Sequence, residues 1–242
     1  MLAVIASHTS DNLAARTAAP GRHDMYRGIH KALRAFMGDT LTRLGSMDPD
    51  DPITASIVLA QLRDVLDLLA HHLHLEETYI LPAIERRRPG AAAGNARDHV
   101  GHERELRELS DLRAQVELAV ASGAPDRASA AHRLFLAFAD FVADNLIHMA
   151  NEERHMNAIM WALFSDDELR QIEGAIIASQ TPEESLRGLR WIFPSITPAE
   201  RATMARAARA TMPPQAFESV IAFVRVLLSP GDQAKLDDAL AR

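Results

Sequence analysis

Cysteine occurs nowhere in the 242 residues. Its absence excludes disulfides, thiolate-held zinc, iron–sulfur clusters and thiol nucleophiles. Aromatic residues make up only 5%, and no window alternates Val, Ile and Thr with polar residues as a strand series does. No apolar run is long enough to span a bilayer. The opening LAVIA is too short for a signal-peptide core and has no basic leader, so a cytoplasmic location is expected. An excess of positive charge is also missing: 26 basic side chains face 33 acidic ones, a formal charge of −7. With the signs mixed along the chain, and with neither a basic recognition helix nor a Gly-rich phosphate loop, nucleic acid is not an expected partner.

What remains is rich in Ala, Leu and Arg, the composition of helices. Residues 1–21 lack apolar periodicity and read as an arm. Beyond them the spacing of apolar residues predicts four long helices, over about 23–44, 52–87, 96–120 and 126–163. Their inward seams are His23, Tyr26, His30, Leu33, Met37, Leu41 and Leu44; Val58, Leu62, Val65, Leu69, His72, Glu76 and Tyr79; His99, His102, Leu106 and Leu109; and Leu134, Phe138, Phe141, Asn145, His148, Glu152, His155 and Ile159. Gly45 and Pro52 mark the first turn, ASGAPD marks the third, and Pro82 is expected to kink or end the second helix. The short turns make an up-down-up-down bundle over 22–163. From 164 to 242 there is no histidine. Four or five short helices are expected there (about 166–179, 183–192, 198–211, 214–228 and 231–240). SDDE and TPAE act as capping boxes, and Trp191, Ile192, Phe193, Phe217, Ile221, Phe223 and Val224 form an apolar face. The fold class is therefore all-α, a four-helix bundle with additional C-terminal helices that cap it or form a homodimer contact.

The bundle seams carry a pattern that packing alone does not require. His72 and Glu76 lie four residues apart, so both leave one face of their helix, and His148 and Glu152 repeat the spacing. With His99 on the third helix and His30 or His23 on the first, six polar side chains face an apolar interior. Burying each without a partner would cost several kcal/mol. A metal ion removes that cost, because neutral imidazole and carboxylate are natural ligands. Six donors including two Glu suit two iron ions bridged by Glu76 and Glu152; manganese or zinc are the alternatives. Mirroring the helices about their turns places His99 level with the His148 pair and places His23, more than His30, level with His72. His102 either joins His99 or stands one turn behind it. Tyr26, Tyr79 and His155 are candidate hydrogen-bond donors near the site, and His71 and His74 are expected at the surface.

IHKALR from Ile29, HLHLEE from His72 followed by LP, DHVGHE from Asp98 and HMANEE from His148 resemble the hemerythrin-like, HHE cation-binding family over about residues 22–163. The resemblance implies a non-haem di-iron centre that binds dioxygen or related small ligands, or senses iron and oxygen. Its ligands would be His30, His72, Glu76, His99, His148 and Glu152. The chain departs from oxygen-carrying hemerythrins in two places: His99 and His102 stand three apart where those have HxxxH, and Glu152 stands where they have Asp.

Three functions arise as expectations. The metal pair binds or senses O2, NO or peroxide and acts on the C-terminal helices; or it turns over peroxide or NO as an oxidoreductase; or it holds the bundle together as a structural module.

Overall fold

The computed structural model describes residues 21–241, so all of the expected arm except Gly21 lies outside them. Regular structure among these residues is entirely helical. The first helix, α1 (Arg27–Gly45), begins four residues later than its apolar spacing suggested. The cause is Asp24, whose carboxylate accepts the backbone N–H groups of Tyr26 and Arg27 at 3.2 and 3.1 Å and so ends the extended chain there. Gly45 closes the helix without a left-handed residue. A Cβ at Gly45 would lie 3.2 Å from the Phe135 ring, so close packing rather than turn geometry requires the glycine.

The second rod starts with α2 (Pro52–Leu75). Asp51 caps it by accepting from Ile53 and Thr54, and Pro52 sits at the first helical position. Ala55, Leu59, Leu62, Val65, Leu66, Leu69 and Leu73 form its buried stripe. Each fully buried Leu there contributes roughly 1.5–3 kcal/mol relative to exposure. The rod then widens into a single π-helical turn (Glu76–Ile80) before α3 (Leu81–Arg87). The third rod is α4 (Ala93–Ala121). The fourth is α5 (Arg127–Asn151), a second π-helical turn (Glu152–Met156) and α6 (Asn157–Leu163). α4 packs along both α2 and α5, and α3 packs on α6.

The π-helical turn of the second rod stands just before Pro82, where a kink or an end was expected, and that of the fourth rod corrects the expectation of an unbroken helix. The N–H of Leu81 bonds back to the Glu76 carbonyl, and that of Asn157 to the Glu152 carbonyl, one residue further than in an α-helix. In the first, Pro82 offers no N–H and its ring would crowd the Thr78 carbonyl in a regular turn, which widening relieves. Each extra residue rotates the remainder of its rod by about 100°. His155, expected on the inward seam, is therefore exposed, while Met156 and Met160 are buried. These methionines join Tyr26, Ile80, Leu81, Ile84, Phe164 and Leu169 in one apolar cluster. Arginines close the carbonyls left open at the end of α6. Arg22 donates to Asp166 at 2.6 Å and to the carbonyls of Trp161 and Phe164 at 3.1 and 2.8 Å. Arg87 lies 4.0 Å over the Phe164 ring and bonds the Leu163 carbonyl and Glu168. The next helix is α7 (Asp166–Ser179).

The described residues group into two compact units, one holding 21–27 and 40–178, the other holding 28–39 and 179–241. The second contains α8 (Pro182–Ser195), α9 (Pro198–Thr211), α10 (Pro214–Arg225) and α11 (Pro230–Ala241), close to the expected spans. Capping boxes start α8 at Thr181 and α9 at Thr197; the first, TPEE, repeats the TPAE pattern and adds a cap beyond those expected. Phe193, Ala205, Val224, Leu228 and Leu236 form its core, and Phe36 stacks on Trp191 at 3.9 Å between ring centres. Of the expected apolar face, Phe193, Phe217 and Val224 are buried and the rest are half-buried. No helix among the described residues is long and apolar enough to cross a membrane.

Candidate metal centre

Both His–x3–Glu pairs stand where their rods change from α to π geometry. The helical spacing sets each pair on one face, and the π-helical turn leaves Glu76 and Glu152 buried, at 1% and 0% exposure. His72 Nε2 lies 3.1 Å from Glu76 Oε1, and His148 Nε2 lies 3.1 Å from Glu152 Oε1. From α4, His99 Nε2 reaches both carboxylates, at 3.2 Å from Glu76 Oε2 and 3.6 Å from Glu152 Oε1. Two donor sets result, each with its atoms within 4.8 Å of one another: His30, His72, Glu76 and Glu152; and Glu76, His99, His148 and Glu152. The two sets share both carboxylates.

The electrostatics mark a site short of positive charge. Burial, then repulsion from Glu152, pushes the Glu76 carboxyl up to about 8. Burial works to lower the His99 imidazole, but hydrogen bonding and attraction to Glu152 and Glu76 outweigh it and raise it to about 10. His102 is driven down to about 4 by burial and then by the charges of His148 and His99. Tyr26 is raised well above its ordinary value by burial and then by Glu76 and Glu152. Both Glu76 oxygens are buried and face ring nitrogens, His72 Nε2 at 3.1 Å and His99 Nε2 at 3.2 Å. Two buried carboxylates among imidazoles, with no thiolate, form a donor set suited to divalent first-row ions, and cations supply the charge the cluster lacks. The residues present fit bound metal cations.

The other candidates fall elsewhere. His23 pairs with Glu173 at 3.0 Å and belongs to neither set, whereas His30 is fully buried within the first. The later start of α1 undoes the mirror count that favoured His23. His102 lies beyond both sets, its ring edge-on to His148 at 4.5 Å between centres. Tyr26 is buried, Tyr79 and His71 are half-buried, and His74 is exposed.

Three neighbours were not anticipated. Asn95, buried on α4, donates to Glu152 Oε1 at 3.0 Å and lies 3.1 Å from His99 Nε2. Glu77 Oε1 stands 3.5 Å from His99 Nδ1, and Asp98 Oδ2 stands 3.9 Å from His148 Nδ1. The signal for Asn95 was present: it precedes His99 by four, the spacing of the two His–Glu pairs. Glu77 and Asp98 are partly exposed and look like ordinary surface acids in sequence.

The sequence profile of the hemerythrin HHE cation binding domain matches residues 22–160. Among curated proteins, nothing matches the chain.

Proposed function

The chain belongs to the hemerythrin HHE cation-binding family, and from that premise we propose that it holds two iron ions and binds or senses O2, NO or peroxide. One observation carries the reading: two four-donor sets share Glu76 and Glu152, the arrangement expected of adjacent ions bridged by two carboxylates. His30 and His72 would complete one position, and His99 and His148 the other. Bound iron would supply open coordination positions and a change of oxidation state.

The chain's own groups prepare that chemistry. Apolar neighbours keep bulk water from the carboxylates, so their charge acts at full strength on a cation. Glu77 and Asp98 stand beside the outer nitrogens of His99 and His148. A proton held there on Nδ1 leaves Nε2 free to coordinate. Both acids reach solvent, giving protons displaced from the imidazoles a way out.

The test is optical. Protein loaded with ferrous iron under argon should develop a visible band when O2 or NO is added, and the band should reverse on removal of the gas. An unchanged spectrum with both gases, despite two bound ions, would leave metal as a structural element. Continued consumption of peroxide or NO over many turnovers would favour the oxidoreductase instead.

A further inference from the structure

The second and fourth rods each present a pair of polar side chains four residues apart across the change from α to π geometry, His72 with Glu76 and His148 with Glu152. α4 presents a third such pair, Asn95 with His99, and its members also touch, Nδ2 to Nε2 at 3.1 Å. Asn95 is 8% exposed. Its Nδ2 lies 3.0 Å from Glu152 Oε1, so one amide nitrogen stands against one donor atom from α4 and one from the turn after α5. Both residues, His99 and Glu152, belong to the second donor set.

A carboxylate oxygen only accepts, so it draws the NH2 end of the amide toward itself. The N–H group thereby offers Glu152 Oε1 a small positive partner in place of a cation. It cannot keep that position once an ion is bound, because a partial positive charge would face a full one across lone pairs already committed to the metal. Rotation about the terminal torsion exchanges NH2 for Oδ1 at little cost, since that torsion is broad for Asn. The carbonyl oxygen is a hard neutral donor suited to Fe(II) and Mn(II).

We propose that Asn95 is a ligand of the second metal position, its amide turning over on metal uptake so that Oδ1 replaces Nδ2. The proposal rests on the metal-pair reading and adds a donor that the His and Glu motifs do not contain. It also assigns His102 a place behind the site, because the inward position beside His99 is already taken by Asn95.

Replacing Asn95 by Asp, Leu or Ala separates the alternatives. Asp keeps the shape and an oxygen donor but loses the N–H, Leu keeps the approximate volume alone, and Ala guards against misfitting of Leu. Ferrous iron is titrated under argon against a competing chelator, and the unfolding of each metal-free variant is followed by circular dichroism to confirm the fold. The expected result is wild-type or tighter binding of the second ion by Asn95→Asp, and binding weakened roughly 10–100-fold in Asn95→Leu and Asn95→Ala. Equal weakening in Asn95→Asp and Asn95→Leu would show that Asn95 acts through its N–H on Glu152, overturning the proposal while the metal pair stands. Unchanged affinity in all three variants would overturn it too. Failure of the wild-type protein to take up a second ion would overturn the metal-pair reading itself, and the proposal with it.

Discussion

Glu76 Oε2 and His99 Nε2 face each other at 3.2 Å in the buried centre of the bundle, and both groups hold protons more tightly than usual. Glu76 is raised to about 8, by burial and then by Glu152. His99 is raised to about 10, its hydrogen bonds to Glu152 and Glu76 outweighing the effect of burial. In the unfolded chain these groups return to their ordinary values of 4.5 and 6.5. The folded metal-free protein therefore binds more protons than the unfolded one, from Glu76 between about 4.5 and 8 and from His99 between about 6.5 and 10. Stability from both falls as pH rises. His102, lowered to about 4 from 6.5, acts oppositely and opposes Glu76 only below about 6.5. The metal-free protein should therefore melt at progressively lower temperature from about pH 6.5 to about pH 8.5, and the metal-loaded protein much less so. Melting curves of both forms at several pH values check this; parallel curves would count against it.

Metal uptake should also expel protons. At neutral pH the site holds protons on His99 and on the Glu76 carboxyl in the absence of metal, and coordination requires both to leave. Titration calorimetry in buffers of different ionisation enthalpy should show net proton release on metal binding. A buffer-independent heat would mean that the ions bind elsewhere.

The shared carboxylates differ in consequence from the single imidazoles. Glu76→Gln or Glu152→Gln replaces a carboxylate common to both sets by a neutral amide that cannot bridge, so either variant should lose both ions. His72→Ala removes a donor from one set and should retain one. Metal analysis after desalting decides. A Glu152→Gln protein that retains two ions would show that Glu152 does not bridge.

Metal removal should weaken the fold as well as the site. A ligand present at about 100 times its dissociation constant stabilises the folded state by about 2.7 kcal/mol, so chelation should lower the melting temperature by several degrees. By contrast Thr197→Ala, which breaks the capping box of α9, should cost about 1 kcal/mol and leave metal content unchanged.

Much of this was legible in the sequence because one physical pattern writes it. Burial every three or four residues located the rods, and the same period placed His72 with Glu76 and His148 with Glu152. Two of the C-terminal helices were readable from the capping boxes of SDDE at Ser165 and TPAE at Thr197, whereas the box at Thr181 was not anticipated. The misses share a cause, namely local departures from α geometry. The side-chain cap at Asp24 moved the start of α1. The π-helical turn after Asn151 put His155 in water, since a constant step of about 100° per residue cannot anticipate an inserted residue. Asn95 was missed although it precedes His99 by four, because a neutral amide at that spacing is not singled out as a ligand until its neighbours are known. The cluster that buries Tyr26 with Ile84 and Met160 depends on contacts between rods, which spacing within one rod does not encode.

The central claim is that this bundle holds two cations in sets sharing Glu76 and Glu152. Iron per chain, measured by elemental analysis on protein loaded with ferrous iron under argon and then desalted, tests it most directly. The account predicts two ions in the wild-type protein and none in the Glu76→Gln, Glu152→Gln double variant. One ion or fewer in the wild type, or two in the double variant, would contradict it.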